Sequence, residues 1–191
     1  ITPPLDLAQV PPDVALDASG SSQQPSALML IGPRLPRGLR IRVGGHLPSR
    51  PYVDVTAQLL RDFGAVVQIL EGASGPSEVV VAPGLRRRTY EVEGDHSSGS
   101  YPLAAGVLTG VPVRIRNTRQ DSLQGDRVFT ALLERLAQPP RASAPRVFDL
   151  THTPDIAPTL ATCALFGVGA TQLTGCAHLR IKESDRLAVL A

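Results

Sequence analysis

The 191 residues are 42% hydrophobic and 19% charged with a net charge of +2, a globular composition long enough for one large domain or two small ones. So small a charge excludes a general nucleic-acid or membrane-surface binder, and no apolar run reaches the roughly 18 residues of a membrane-spanning helix. Cys163 and Cys176 form neither a disulfide framework nor a metal-ligand spacing, and read as reduced thiols of a cytoplasmic protein.

Ile1–Pro12 holds four prolines and no hydrophobic period, which predicts a linker or extended edge. Beyond it a unit recurs: a polar turn, an apolar helix, a Gly/Pro turn, a strand, a loop and an amphipathic helix. The copies run Ser19 to Ala65, Gly94 to Ala137 and His152 to Ala191. Leu39–Val43 and Val111–Ile115 alternate aliphatic residues with Arg or Pro, so each predicts a strand with one buried face. Glu78–Ala82 and Thr89–Glu93 are further strand candidates. Together these predict a mixed α/β fold (α+β type) in which helices pack under mixed sheets. Each apolar helix begins at small polar residues: Ser21 and Ser22, then Asp95, Ser97 and Ser98, then Thr153 and Asp155. Singly these are helix caps; repeated at equivalent places, they predict helix N-termini gathered on an anion.

The densest polar stretch is Arg180-Ile181-Lys182-Glu183-Ser184-Asp185-Arg186 at a helix mouth, containing the only lysine in the chain. Arg186 offers a bidentate fork to a carboxylate or phosphate, Lys182 a point charge, and Glu183 a proton acceptor or donor. Alone, the stretch also reads as a solvated, capped helix start.

Five motifs in order, Ser21-Ser22-Gln23, Pro48-Ser49-Arg50-Pro51-Tyr52, Val92 to Ser98, Pro154-Asp155-Ile156-Ala157 and Arg180 to Arg186, are similar to the EPSP synthase family over about Val14 to Ala191. The resemblance implies repeated βαβαββ-like units forming two lobes of the enolpyruvyl transferase fold, incomplete here. It places residues 1–125 in the first lobe and 126–191 in the second, the crossing lying near Gln124–Arg127. It implies transfer of the enolpyruvyl group of phosphoenolpyruvate to shikimate 3-phosphate. Ser21, Ser22, Gln23 and Ser49 resemble the ligands of the shikimate phosphate and ring, with Arg50 nearby and Tyr52 lining the ring. Asp155 resembles the carboxylate at the attacking hydroxyl, Lys182 the ammonium beside it, Glu183 the proton shuttle and Arg186 the phosphoenolpyruvate clamp. His178 stands where many relatives carry Asn and keeps one hydrogen-bond donor. No organic cofactor and no metal are implied, and the full-length enzyme is expected to be monomeric.

The missing initiating Met and the stop at Ala191 predict an internal piece of a longer protein, inactive by itself because further phosphoenolpyruvate ligands of the family are missing. Rival readings are a UDP-N-acetylglucosamine enolpyruvyl transferase, whose loop cysteine neither thiol matches, and a non-catalytic anion-binding module. An RNA binder would rest on Arg86-Arg87-Arg88 and Tyr90 without aromatic interleaving elsewhere. A Ser21–His178–Asp155 hydrolase lacks a nucleophile elbow.

Overall fold

The computed structural model describes residues 6–73, 75–139 and 144–191. Contacts divide the chain into two compact units, Ile1–Tyr90 and Glu91–Ala191, each with its own core.

In the first unit the elements are β1 (Asp13–Asp17), α1 (Gln23–Ile31), β2 (Leu39–Gly44), α2 (Pro51–Asp62), β3 (Val67–Gly72) and β4 (Gly75–Val81). This is a βαβαββ unit with sheet order β1-β2-β4-β3. β1 and β2 run parallel with Val14 opposite Ile41, and β4 is antiparallel to both β2 and β3. A parallel neighbour requires a crossover, which α1 supplies. The alternation read in β2 is the burial pattern: Leu39 and Ile41 are buried while Arg40 and Arg42 are exposed. The buried face meets Met29 of α1 and Val53, Ala57 and Leu60 of α2, one i, i+4, i+7 stripe. Arg40 on the wet face pairs with Asp13 of β1 and Glu78 of β4.

The second unit contains α3 (His96–Thr109), α4 (Phe129–Ala137), β5 (Arg146–Asp149), α5 (Ala157–Leu165), β6 (Thr171–Thr174) and α6 (Arg186–Leu190). Short 3-10 turns at Gly125–Val128 and Pro154–Ile156 lead into α4 and α5, and a third spans Ala177–Ile181. β5 and β6 are parallel, Phe148 opposite Leu173, with α5 as crossover. The core joins Phe129, Leu133, Phe148, Leu150, Ile156, Leu160 and Leu179. Asp95 caps α3 by accepting the Ser97 N–H, and Gly110 ends it in the left-handed region, φ 72°. Cys163 and Cys176 are both buried here, and burial pushes both thiols up.

Several expectations change. The compact units divide at Tyr90/Glu91: Ala104 of α3 packs into the core shared by α4 and α5, so residues 91–125 group with those two helices. Val111–Ile115 and Thr89–Glu93 join no ladder among the described residues; Gly94 N–H donates to Asn117 O and Asn117 Nδ2 to Val92 O, each at 2.7 Å. Residues 111–113 instead pass over Gly106, where an added Cβ would lie 2.7 Å from Val111 O. Within the proposed linker, Leu7–Gln9 is a 3-10 turn capped by Asp6, and residues 1–5 lie outside the described set.

The β2 register makes neighbouring substitutions diverge. Ile41→Ala removes a side chain with no exposed area and is expected to cost about 2–5 kcal/mol, whereas Arg42→Ala stays within about 0.5 kcal/mol. Urea unfolding followed by circular dichroism distinguishes them, and equal losses would place both residues on one face.

Candidate active site

The predicted catalytic and substrate-binding residues all lie in the segments that follow the carboxyl ends of parallel strands. Ser21, Ser22 and Gln23 follow β1; Ser49, Arg50 and Tyr52 follow β2; Asp155 follows β5; His178, Lys182, Glu183 and Arg186 follow β6. Ligands of open α/β sheets bind outside these ends.

In the first unit the loops after β1 and β2 touch. Ala18 N–H donates to Gly44 O at 3.0 Å, and a Cβ at Gly45 (φ 77°) would come within 2.6 Å of Asp17 Oδ1. Asp17 accepts the Ser19 N–H, which holds its carboxylate below the usual range. Ser21, not Ser22, does the capping: its Oγ accepts the Gln23 N–H at 3.1 Å. Ser22 makes no capping bond although it is 4% exposed. Ser49 is equally buried and sits at φ 53°, a left-handed conformation that costs a non-glycine residue on the order of 1 kcal/mol and concentrates at functional sites. The two segments thus lie at the same end of adjacent strands. Tyr52 stands half exposed in the first turn of α2. Arg50 makes two bonds to Glu71 and one to Asp54, and the bonds to Glu71 chiefly raise its pKa.

In the second unit three predicted residues meet. The Arg186 guanidinium donates to Asp155 Oδ1 at 3.1 Å and to Glu183 Oε2 at 2.7 Å. The bond to Glu183 chiefly raises the Arg186 pKa. Glu183, 75% exposed at its side chain, is held below the usual carboxylate range by its own backbone N–H and then by Arg186, with a contribution from Lys182. It is therefore ionised at neutral pH in this state. Asp185 caps α6 through the Ala188 N–H and pairs with Arg180 at 2.9 Å, so the helix mouth that presents Arg186 is built by its own sequence. His178 lies half-buried in the 3-10 turn, its Nε2 shielded from solvent.

The sequence reading missed Asp126. It is 4% exposed and accepts a hydrogen bond from Ser97 Oγ. Burial pushes its pKa up to about 6 against the pull of Ser97, and the charges of Asp155 and Asp95 add to the rise. Its one sequence signal, an acid after Gly125 and before a helix, reads as an ordinary cap. Among the described residues no group of three or more His, Cys, Asp or Glu is arranged to hold a metal ion.

A family model for EPSP synthase (3-phosphoshikimate 1-carboxyvinyltransferase) matches residues 2–191. The chain is 39% identical to a curated protein of Sodalis glossinidius named 3-phosphoshikimate 1-carboxyvinyltransferase, over 94% of this chain and 44% of the relative. Proteins of the same name from Salmonella arizonae and Salmonella typhimurium are 37% and 36% identical with the same coverage. The chain spans under half the length of these relatives.

Two outcomes are expected from the geometry. Ser49→Gly should leave thermal stability within about 1 kcal/mol of wild type, since relief of the φ strain offsets the added freedom of the unfolded chain; a larger drop would mean that the hydroxyl itself supports the fold. For Asp126 the folded pKa lies above the unfolded one, so its contribution to stability is full below about pH 4 and is lost as pH rises through about 6. Asp126→Asn should therefore stabilise the chain by about 2–3 kcal/mol at pH 7.5, with the gain shrinking towards pH 4.5 in urea titrations; a pH-independent difference would contradict this.

Proposed function

We propose that this chain, which belongs to the EPSP synthase (3-phosphoshikimate 1-carboxyvinyltransferase) family, is part of a cytoplasmic, monomeric enzyme of chorismate and aromatic amino-acid biosynthesis. That enzyme moves the enolpyruvyl group of phosphoenolpyruvate to the 5-hydroxyl of shikimate 3-phosphate and releases phosphate. The observation that carries the reading is the Asp155–Arg186–Glu183 cluster, an anion-binding fork held between two carboxylates at the mouth of α6.

The reaction needs the hydroxyl oxygen to bond C2 of phosphoenolpyruvate while C3 gains a proton. A proton then leaves C3 as the C2–O bond to phosphate breaks, so that the product is an enol ether. Asp155 binds the ring hydroxyls and accepts the proton of the attacking one, with the Lys182 ammonium stabilising the oxygen as charge develops. Glu183 carries the proton to and from C3. Arg186 grips the phosphoenolpyruvate anion in place of its present carboxylate partners, and that exchange frees Glu183 to take up a proton. Ser21, Ser22 and Ser49 hold the shikimate phosphate at the start of α1 and beside α2, where the positive ends of the helix dipoles favour an anion. Gln23 and Tyr52 border the ring, and His178 donates one hydrogen bond to the substrate. Arg50, already satisfied by Glu71, orders the loop that carries Ser49. No cofactor or metal enters this chemistry, and no nucleic acid or membrane is a partner.

Calorimetric titration tests it. The chain should bind shikimate 3-phosphate more tightly than inorganic phosphate, and Ser22→Ala should weaken that binding about tenfold, as loss of one charge-assisted hydrogen bond does. With both substrates the isolated 191 residues should release no phosphate. Equal affinity for the two ligands would remove the phosphate-site assignment, and phosphate release near an intact synthase's rate would show that Lys182 and Arg186 suffice as cations.

A further inference from the structure

We propose that Asp17 and Asp149 are equivalent positioning residues, each latching together the two strand exits on which one unit's substrate-binding loops are mounted. The equivalence lies in the bonds. β1 and β2 end with Asp17 opposite Gly44, and β5 and β6 end with Asp149 opposite Thr174. One residue on, Ala18 N–H donates to Gly44 O at 3.0 Å and Leu150 N–H to Thr174 O at 2.9 Å. Two residues on, Ser19 N–H donates to Asp17 Oδ1 at 2.9 Å and Thr151 N–H to Asp149 Oδ1 at 3.0 Å, with the Thr151 hydroxyl adding a bond at 2.6 Å. Four residues on, Ser21 N–H returns to Ala18 O at 3.2 Å and Thr153 N–H to Leu150 O at 3.0 Å. Asp17-Ala18-Ser19 and Asp149-Leu150-Thr151 share no residue but the acid, yet they build one and the same turn.

The carboxylate oxygen that holds each turn also meets the exit of the neighbouring strand. Gly45 and Gly175 follow Gly44 and Thr174, and both are left-handed, at φ 77° and 72°. A Cβ would lie 2.6 Å from Asp17 Oδ1 at Gly45 and 2.4 Å from Asp149 Oδ1 at Gly175. Each glycine backbone thus runs directly against the acid that fixes the opposite loop, closer than a side chain permits. The site residues leave from these latches. Ser21, Ser22 and Gln23 lie beyond Asp17, and Ser49 beyond Gly45; Asp155 lies beyond Asp149, and Lys182 and Glu183 beyond Gly175. The segments flanking α3 share the cross-strand bond, Gly94 N–H to Asn117 O at 2.7 Å, but there the acid is Glu93, which accepts from Arg119 N–H of the far segment. They form no ladder among the described residues and carry none of the predicted site residues. Asp17 and Asp149 both face solvent, so they add little to the burial that holds each unit together. Their effect is to fix one loop against the other, and loops ordered in advance lose less entropy on binding a ligand. The bearing on ligand binding rests on the function proposed above; the latch itself does not.

Amide hydrogen exchange of the whole 191-residue chain tests the latch. Asp17→Ala should speed exchange about tenfold at Ser19 and also at Ala18, whose bond crosses to β2, as loss of a charge-assisted hydrogen bond does. Asp17→Asn, whose amide oxygen still accepts the Ser19 N–H, should exchange like wild type. Asp149→Ala and Asp149→Asn should repeat this at Thr151 and Leu150. In calorimetric titration Asp17→Ala should weaken binding of shikimate 3-phosphate and of inorganic phosphate by about threefold or more, and Asp149→Ala that of shikimate 3-phosphate alone. The Asn variants should restore both, and all four should melt close to wild type, as substitutions of exposed residues do. Gly45→Asn, which tolerates the left-handed backbone but sets a Cβ against Asp17, should loosen the same bonds. Faster exchange confined to Ser19 and Thr151 would reduce each latch to a local turn and overturn the proposal. So would unchanged affinities in the Ala variants, or wild-type exchange and binding in Gly45→Asn should an Ala variant fail to fold. Exchange coupled as expected in a chain that binds no shikimate 3-phosphate would retire the proposed function and leave the latch standing.

Discussion

The organising constraint is the parallel pairing of strands across a helical crossover, made once in each unit. Parallel neighbours cannot be joined by a tight turn, so the chain leaves β1 through α1 before β2 and leaves β5 through α5 before β6. Each carboxyl strand end then opens into a loop that starts a helix, and the positive end of that helix's dipole faces the loop. Hydrophobic burial drives the arrangement: Ile41 and Met29 in one core, Phe148 and Leu160 in the other, seal the sheet faces against their helices. The polar residues do not build these layers. They occupy the positions that the layers leave open.

Local departures from easy physical chemistry fall at the same ends. Ser49 holds a left-handed backbone, Ser22 lies buried without capping its helix, and Asp126 keeps a carboxyl group away from water. None of these assists packing. At Asp126 stability alone would favour an amide, since the carboxyl group is buried with its pKa raised. In the second unit Arg186 is satisfied by two carboxylates, Asp155 and Glu183.

Much of this was legible in the residues. The helix starts at Gln23, Pro51, His96 and Ala157 coincide with the small polar clusters or Pro positions that announce them, and the Arg/aliphatic alternation of β2 is its burial pattern. What escaped is what three dimensions decide. β5 is four residues, Arg146–Asp149, too short for any period to register. Val111–Ile115 has the period of a strand but no ladder partner among the described residues, since hydrogen bonding depends on a neighbour that the pattern cannot name. The grouping of residues 91–125 with α4 and α5 was not legible because it rests on Ala104 tying α3 into their core, a contact between distant residues that no local pattern shows. Asp126 was missed for the same reason: sequence shows an acid before a helix, and only packing shows it buried.

The distribution of sulfur has a practical consequence. The chain has two cysteines, and both are buried in the second unit, Cys163 within α5 and Cys176 just after β6. Thiols shielded in this way react only when the surrounding structure opens, because the thiolate is the nucleophile and burial disfavours it. The rate at which an alkylating reagent consumes them is therefore a clock for opening of the second unit, and the first unit is silent to it. Because Cys163 lies in the helix that follows the turn carrying Asp155, the clock reads the rigidity of that part of the second unit.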